Sequence, residues 1–363
     1  MSKTFALNAD NCLETRPAHI PADLWSQFSL NVQQTNETHP IAINANDLTF
    51  GVEIETHVSN AASIEGGRYH SGHTTSGLPA FNGARWGVER DSSIEVPSYT
   101  RRGVEFISPI LKGEAGLKNL IDVVNVIKAE QGEQVTIETP VQNGNATVAE
   151  EFEGQGARVN RSCGIHIHVG FPTNDLRALQ RLASLVASLE DGIYASTGSA
   201  ARRNGVYSRP TKCDTGRKST VKSKSQQQFN NAWAGSYSSR YFGLNLSNLI
   251  NGTRPTVEFR FFSGSTNPRK IAAWTQLCLG LVQLALSSQR SAPWESKQAS
   301  NWYGKDKSQP EREVQRLMQK LGWVHRRDDN TFGILGIVGE GNGLPTRLEM
   351  ARELRKLARK FND

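Results

Sequence analysis

Three short segments each carry two chemically capable side chains at positions i and i+2: Glu53-x-Glu55, His166-x-His168 and Glu258-x-Arg260. In a β-strand those positions share a face. The residues between and beside them are apolar: Val52 and Ile54, Ile165 and Ile167, and Val257, Phe259 and Phe261. Any one of these segments read alone is also an ordinary half-exposed strand. Side by side in one sheet, they would gather three carboxylates, two imidazoles and a guanidinium on one surface. Carboxylates at i and i+2 repel each other unless something positive neutralises them. A divalent cation does so; carboxylates suit Mg²⁺ or Mn²⁺, and imidazole is acceptable to Mn²⁺ and in mixed sites.

The His-x-His pair is also a zinc pattern, and a zinc or manganese hydrolase would use it with one or two carboxylates to activate a water. Such an enzyme has less need of the neighbouring guanidinium. Arg260 beside metal-binding carboxylates points instead to phosphate, which arginine grips bidentately. Acidic ligands, an adjacent arginine and a basic stretch fit phosphoryl transfer, where catalysis is mostly positioning and charge neutralisation. Glu105, in the apolar strand Val104-Glu105-Phe106-Ile107, has a ligand role and a solvent-facing role open to it. Asp91 ends a strand, either as a functional carboxylate or as a turn residue bonded to its own backbone. His57, His70 and His73, in or beside a polar loop, read as surface residues, and Cys163 as a buried thiol. No G-x-x-x-x-G-K-[ST] segment is present, so a nucleotide would not be held by a P-loop.

These residues need strands to carry them. The periodicity predicts strands over 48–56, 86–91, 103–109, 163–170 and 256–262, with Pro109 ending the third. Helices are predicted over 116–131, from Leu176 to about Ile193 with Asn174 or Asp175 as its cap, and over 271–286. Residues 59–84 read as a long loop, 132–158 as an acidic loop, and 196–236 as a polar segment. Two amphipathic patterns, at Val314, Leu317 and Leu321 and over 348–361, suggest outer helices joined by a Gly-rich connection at 330–345.

The 363 residues carry a formal charge of +7, 42 basic against 35 acidic, and a mean hydropathy of −0.49. That balance allows an anionic partner without requiring one. The basic stretch 202–224 has Asp214 as its single acid and Tyr207 as its single aromatic. So few aromatics argue against single-strand nucleic-acid stacking, although a non-enzymatic nucleic-acid-binding protein remains an alternative. Cys12, Cys163, Cys213 and Cys278 form no CxxC pair, which argues against a structural zinc site or disulfide framework. The N-terminal residues lack a signal-peptide pattern, and a cytoplasmic protein outside the membrane is the expectation.

In order along the chain, Phe50-Gly51-Val52-Glu53-Ile54-Glu55, Asp91-Ser92-Ser93-Ile94, Gly103 to Pro109, Cys163 to Val169 and Thr256-Val257-Glu258-Phe259-Arg260 resemble the amidoligase family. That family is related to glutamine synthetase and the glutamate–cysteine ligases, and the similarity spans roughly 47–290. Arg202-Arg203-Asn204 and Tyr207 are similar to its Arg-rich stretch after the central helix. The resemblance implies an α+β, glutamine-synthetase-like fold: a curved, mainly antiparallel sheet with helices packed on its outer face. Around a catalytic domain at 47–290 it leaves an N-terminal extension, 1–46, and a C-terminal helical segment, 291–363. It also implies an ATP-dependent ligase that forms an amide through an acyl phosphate, joining a small-molecule, peptide or protein carboxylate to an amine. By the same resemblance Glu53, Glu55, Glu105, His166 and Glu258 would hold Mg²⁺, with Mn²⁺ an alternative. His168 would be a ligand or nucleotide contact. Arg202, Arg203 and Arg240 would contact phosphates or the acidic substrate, Arg260 would stabilise the transferring phosphoryl group, and Asp91 would orient or deprotonate the amine.

Overall fold

A computed structural model describes residues 3–5, 13–15, 44–64, 77–140, 147–171, 175–211, 220, 222–236, 239–287, 309–324 and 344–361. Its strands are β1 (Lys3–Phe5), β2 (Leu13–Thr15), β3 (Thr49–Ser59), β4 (Gly87–Arg90), β5 (Arg101–Ile107), β6 (Leu111–Lys112), β7 (Gln134–Pro140), β8 (Thr147–Glu153), β9 (Gly164–Gly170), β10 (Leu244–Asn245) and β11 (Thr256–Ser263). Its helices are α1 (Gly113–Lys128), α2 (Leu176–Ala195), α3 (Ala200–Asn204), α4 (Gln226–Ser236), α5 (Ser247–Ile250), α6 (Pro268–Ser287), α7 (Gln309–Lys320) and α8 (Arg347–Lys360).

The period-two segments lie together in one antiparallel sheet with strand order β10-β11-β9-β3-β5-β4, β6 pairing on β3. The fold is therefore α+β with a mostly antiparallel sheet, in line with what the family resemblance implies at that level. One face is apolar: Val52 and Ile54 of β3, Val104 and Phe106 of β5, Ile165 and Ile167 of β9 and Val257 and Phe259 of β11 are all fully buried. Against this face packs α6, whose Trp274 ring stacks on Phe262 at 5.1 Å. Burying each such large side chain contributes about 1.5–3 kcal/mol, which is what holds the polar face in register. Among the described residues α6 is the helix long and apolar enough to cross a membrane, yet it is buried as the central helix of the core. Helices α7 and α8 close the outside of α2 and α6 through Val314, Leu317, Leu354 and Leu357.

Local signals set several of the boundaries. Asp175 caps α2, accepting from the backbone N–H groups of Arg177 and Ala178 at 2.9 and 3.3 Å, and Thr346 with Glu349 forms a capping box on α8. Helix α1 starts three residues before the predicted point, at Gly113, where β6 ends and a left-handed glycine (φ 60°) turns the chain.

Other expectations change. The acidic segment 132–158 is not all loop, because β7 and β8 form a hairpin within it. Ile137 is buried and shares its face with Val135 and Phe152, which pack against the core, whereas Glu138 and Glu151 stand on the other face; Glu150, opposite Ile137, is exposed. The polar segment 196–236 contains α3 and α4. His57 is not a surface residue: it is buried in β3, and its Nδ1 accepts from Arg101 Nε at 2.6 Å. Burial, with Arg101 and Arg158 nearby, lowers its pKa. His70, His73, Cys12, Cys213 and the 330–343 part of the Gly-rich connection lie outside the described residues.

Candidate active site

The polar face of the sheet places its functional groups by strand register. In one row across the sheet, Glu89 of β4 pairs with Glu105 of β5, and Glu105 with Glu55 of β3. In the next row Glu53 of β3 pairs with His166 of β9, and in the third His168 pairs with Glu258 of β11, which pairs with Asn245 of β10. The strict alternation predicted for β11 breaks after Phe259. Phe259 pairs with Ile167 but Phe262 with Ile165, so Arg260 and Phe261 together span His166. This bulge returns Phe262 to the apolar face and sets Arg260 beside His166, with its Nη1 3.4 Å from the imidazole Nδ1.

Glu53 is the hub. Its Oε2 lies 3.0 Å from His166 Nδ1 and its Oε1 3.0 Å from His168 Nε2. Burial opposes ionisation of Glu53, but the hydrogen bonds and charge of the two imidazoles hold its carboxyl well below the usual range. Burial likewise opposes charge on His168, while Glu53 and Glu258 raise its pKa. Glu258 is buried, and both its oxygens are engaged: Arg260 Nη1 donates to Oε1 at 2.5 Å and Asn245 Nδ2 to Oε2 at 2.6 Å. Against burial, Arg260 and the two histidines hold its pKa down. Glu105 differs. Burial and the neighbouring Glu53, Glu55 and Asp91 push its carboxyl up to about 9. Glu55 accepts from the Gly164 backbone N–H at 2.5 Å and lies 3.5 Å from His166 Nε2.

A cavity of about 590 Å³ opens over this face. Glu53, Glu55, Glu105, His166, Asp91, Arg202, Arg240 and Arg260 line it, so the structure brings these sequence-predicted residues together. His168 and Glu258 sit behind its wall, linked to it through Glu53 and Arg260. Arg202 is buried, with Nε donating to the Arg260 carbonyl at 3.3 Å and Nη2 3.5 Å from His166 Nε2. Burial and Arg260 lower its pKa, with Glu55 opposing. Arg203 is placed otherwise. It does not line the cavity; its Nη1 lies 2.9 Å from Asp191 Oδ1 on α2 and its guanidinium over the Tyr194 ring. Consecutive residues of a helix point about 100° apart, so only one of the Arg202–Arg203 pair can face the site. Asp91 meets both of its readings: it lines the cavity, and its Oδ1 accepts from the Ser93 N–H at 2.7 Å.

Two groups of side chains have donor atoms close enough to share a cation: Glu53, Glu105 and His166, and Glu53, His168 and Glu258, each within 4.8 Å of one another. The first suits a divalent cation: burial, with Glu53, Glu55 and Asp91 beside it and Arg260 opposing, raises the Glu105 carboxyl, and a cation held there would favour its ionised form. A mixed carboxylate–imidazole set is one Mn²⁺ accepts readily and Mg²⁺ less so. The second is already compensated by Arg260 and Asn245 at Glu258.

Several lining residues escaped the sequence reading. Glu89 is buried opposite Glu105, and Glu89-x-Asp91 repeats the i, i+2 spacing that exposed Glu53-x-Glu55, so a signal existed. Arg85, Arg254 and Tyr241 also line the cavity and stand in no comparable pattern.

The cavity is thus a pocket of clustered carboxylates, an imidazole and arginines on the polar face of an antiparallel sheet. In comparison with known families, residues 145–282, spanning β9 and β11, match a family model described as "Putative amidoligase enzyme". No curated protein matches the chain.

Proposed function

We propose that the protein is an ATP- and Mg²⁺-dependent carboxylate–amine ligase, with Mn²⁺ an alternative cation, working in the cytoplasm on an amino-acid, peptide or protein carboxylate. The observation that carries this reading is the sharing of Glu53 between two groups of cation ligands within reach of Arg260 and Arg202. The family match over 145–282 supports the ligase class. A bound cation would supply charge neutralisation at the phosphates, held by Glu53, Glu105 and His166.

In the first step a substrate carboxylate oxygen attacks the γ-phosphorus of ATP, the bond to the β–γ bridging oxygen breaks, and ADP leaves. Arg260 and Arg202 stabilise the oxygens of the phosphoryl group in transit, fixed in place by Glu258 and by the Arg260 carbonyl. The amine nitrogen then attacks the acyl carbon, and phosphate departs with the electrons of the C–O bond. Asp91 takes the ammonium proton.

The test is ADP release from a panel of carboxylates and amines, where turnover must require one of each. Arg260→Ala is expected to lower turnover about 10²–10³-fold. A folded protein that fails to bind MgATP, or that hydrolyses substrates with tightly held zinc and no nucleotide, would overturn the proposal.

A further inference from the structure

The two edges of the cavity differ in chemistry. At the β10–β11 edge stand Tyr207, Arg240, Tyr241 and Arg254; at the β4 edge stand Arg85, Glu89, Asp91 and Ser93. Four strand spacings separate β11 from β4, about 19 Å at about 4.8 Å each, with Glu53, Glu105 and His166 between them. A triphosphate is repelled by the Glu89–Asp91 edge and attracted by the arginine edge.

Tyr207 is 49% exposed at this mouth, yet its segment is fastened on both sides. Arg209 N–H donates to the Tyr241 carbonyl at 2.8 Å and Gly243 N–H to the Arg209 carbonyl at 2.9 Å. On the other side Tyr194 Oη donates to the Ser208 carbonyl at 2.7 Å, and Thr211 N–H donates to the fully buried Glu190 at 2.6 Å. The Tyr207 carbonyl itself accepts from Arg260 Nε at 3.5 Å. The Tyr207 and Tyr241 rings meet edge to face at 5.2 Å, with the Arg240 guanidinium 5.4 Å and that of Arg260 5.8 Å from the Tyr241 centroid. An exposed aromatic ring on an immobilised segment binds a planar ligand without an ordering penalty, and cations at the next ring continue toward the phosphate position.

We infer that Tyr207 and Tyr241 form the shelf for the nucleobase, so that the nucleotide enters over the β10–β11 edge and the acceptor amine over the β4 edge. This rests on the nucleotide-dependent reading above. Stacking reads a planar face rather than an edge pattern, so the contribution belongs to the base alone.

The experiment compares binding of MgATP and of magnesium tripolyphosphate to wild type, Tyr207→Ala and Tyr207→Phe, by calorimetry, with thermal melts to confirm folding. Tyr207→Ala is expected to weaken MgATP about ten- to a hundredfold, to change tripolyphosphate by less than about twofold, and Tyr207→Phe to retain most of the MgATP affinity. Undiminished MgATP affinity in Tyr207→Ala overturns the shelf, and is the result expected if the ring serves a substrate side chain instead. Equal loss of both ligands overturns it too, since that would report a displaced Arg260. If wild type binds tripolyphosphate as tightly as MgATP, the shelf falls while the ligase reading stands. If wild type binds neither, the nucleotide reading falls first and the shelf with it.

Discussion

Gly164 leaves room for one guanidinium, and filling that room isolates the contribution of Arg202. A Cβ at position 164 would lie 2.3 Å from Arg202 Nη2, 2.8 Å from its Cζ and 2.9 Å from its Nη1. Ordinary contact begins near 3.4 Å, so Gly164→Ala must push the guanidinium away by about 1.1 Å, the difference between 3.4 and 2.3 Å. The glycine is extended rather than left-handed, so alanine meets a steric obstacle and no backbone strain. Arg202 is buried, and its contacts at 3.3 Å to the Arg260 carbonyl and 3.5 Å to His166 cannot survive a shift of that size. The obstacle is the end of a long side chain, so the loss of stability is expected near the low end of overpacking, about 1 kcal/mol. Displacing a reacting-site group by about 1 Å costs on the order of 100-fold in rate. Urea denaturation and carboxylate-dependent ADP release measure the two quantities separately. Wild-type turnover in a folded Gly164→Ala protein, or a rate loss that only tracks unfolding, would refute a positioned Arg202.

Three further outcomes concern Glu105 and Arg203. Glu105 holds its proton up to about pH 9 in the cation-free chain, and a cation needs the carboxylate. Mn²⁺ affinity is therefore expected to rise with pH from neutrality towards about 9, with proton release that calorimetry in buffers of different ionisation enthalpy detects; a pH-independent affinity contradicts it. Without a cation, the sign for stability is the reverse: the folded chain keeps a proton that the unfolded chain gives up, so stability declines as pH rises from the usual carboxylate range through about 9. Arg203→Met removes the guanidinium 2.9 Å from the buried Asp191 and should destabilise the fold in urea denaturation by up to about 3–5 kcal/mol, the cost of breaking a buried ion pair. Its MgATP affinity, measured in the folded fraction, should stay unchanged, and a selective loss of affinity would return Arg203 to the site.

The central strands were legible because their chemistry alternates with period two. Val52, Ile54, Ile165 and Ile167 mark the buried face without ambiguity, and Glu53, Glu55, His166 and His168 are what remains. The β7–β8 hairpin was not legible, because a two-stranded unit resting on Ile137 and a few half-buried neighbours has too little apolar signal to stand out from its carboxylates. His57 continues the Glu53–Glu55 face and was misplaced for a different reason. What buries it is Arg101 and the 156–158 segment, contacts made far along the chain. Arg203 shows the limit of a motif: adjacent arginines look equivalent in sequence, and the helix separates them.

The bulge in β11 makes the site sensitive to chain length rather than to chemistry alone. Register along an antiparallel pair is counted residue by residue, and the extra residue between Phe259 and Phe262 shifts that count by one. Upstream of it, Glu258 faces the cavity side; downstream, Phe262 stacks on Trp274 in the core. Deleting a single residue there would remove no charged group if Phe261 were the one lost. It would nonetheless force the strand to choose which of its two halves stays in phase. Substitutions in this segment can be absorbed one side chain at a time, whereas a one-residue deletion or insertion trades the acid–arginine pair against the aromatic stack.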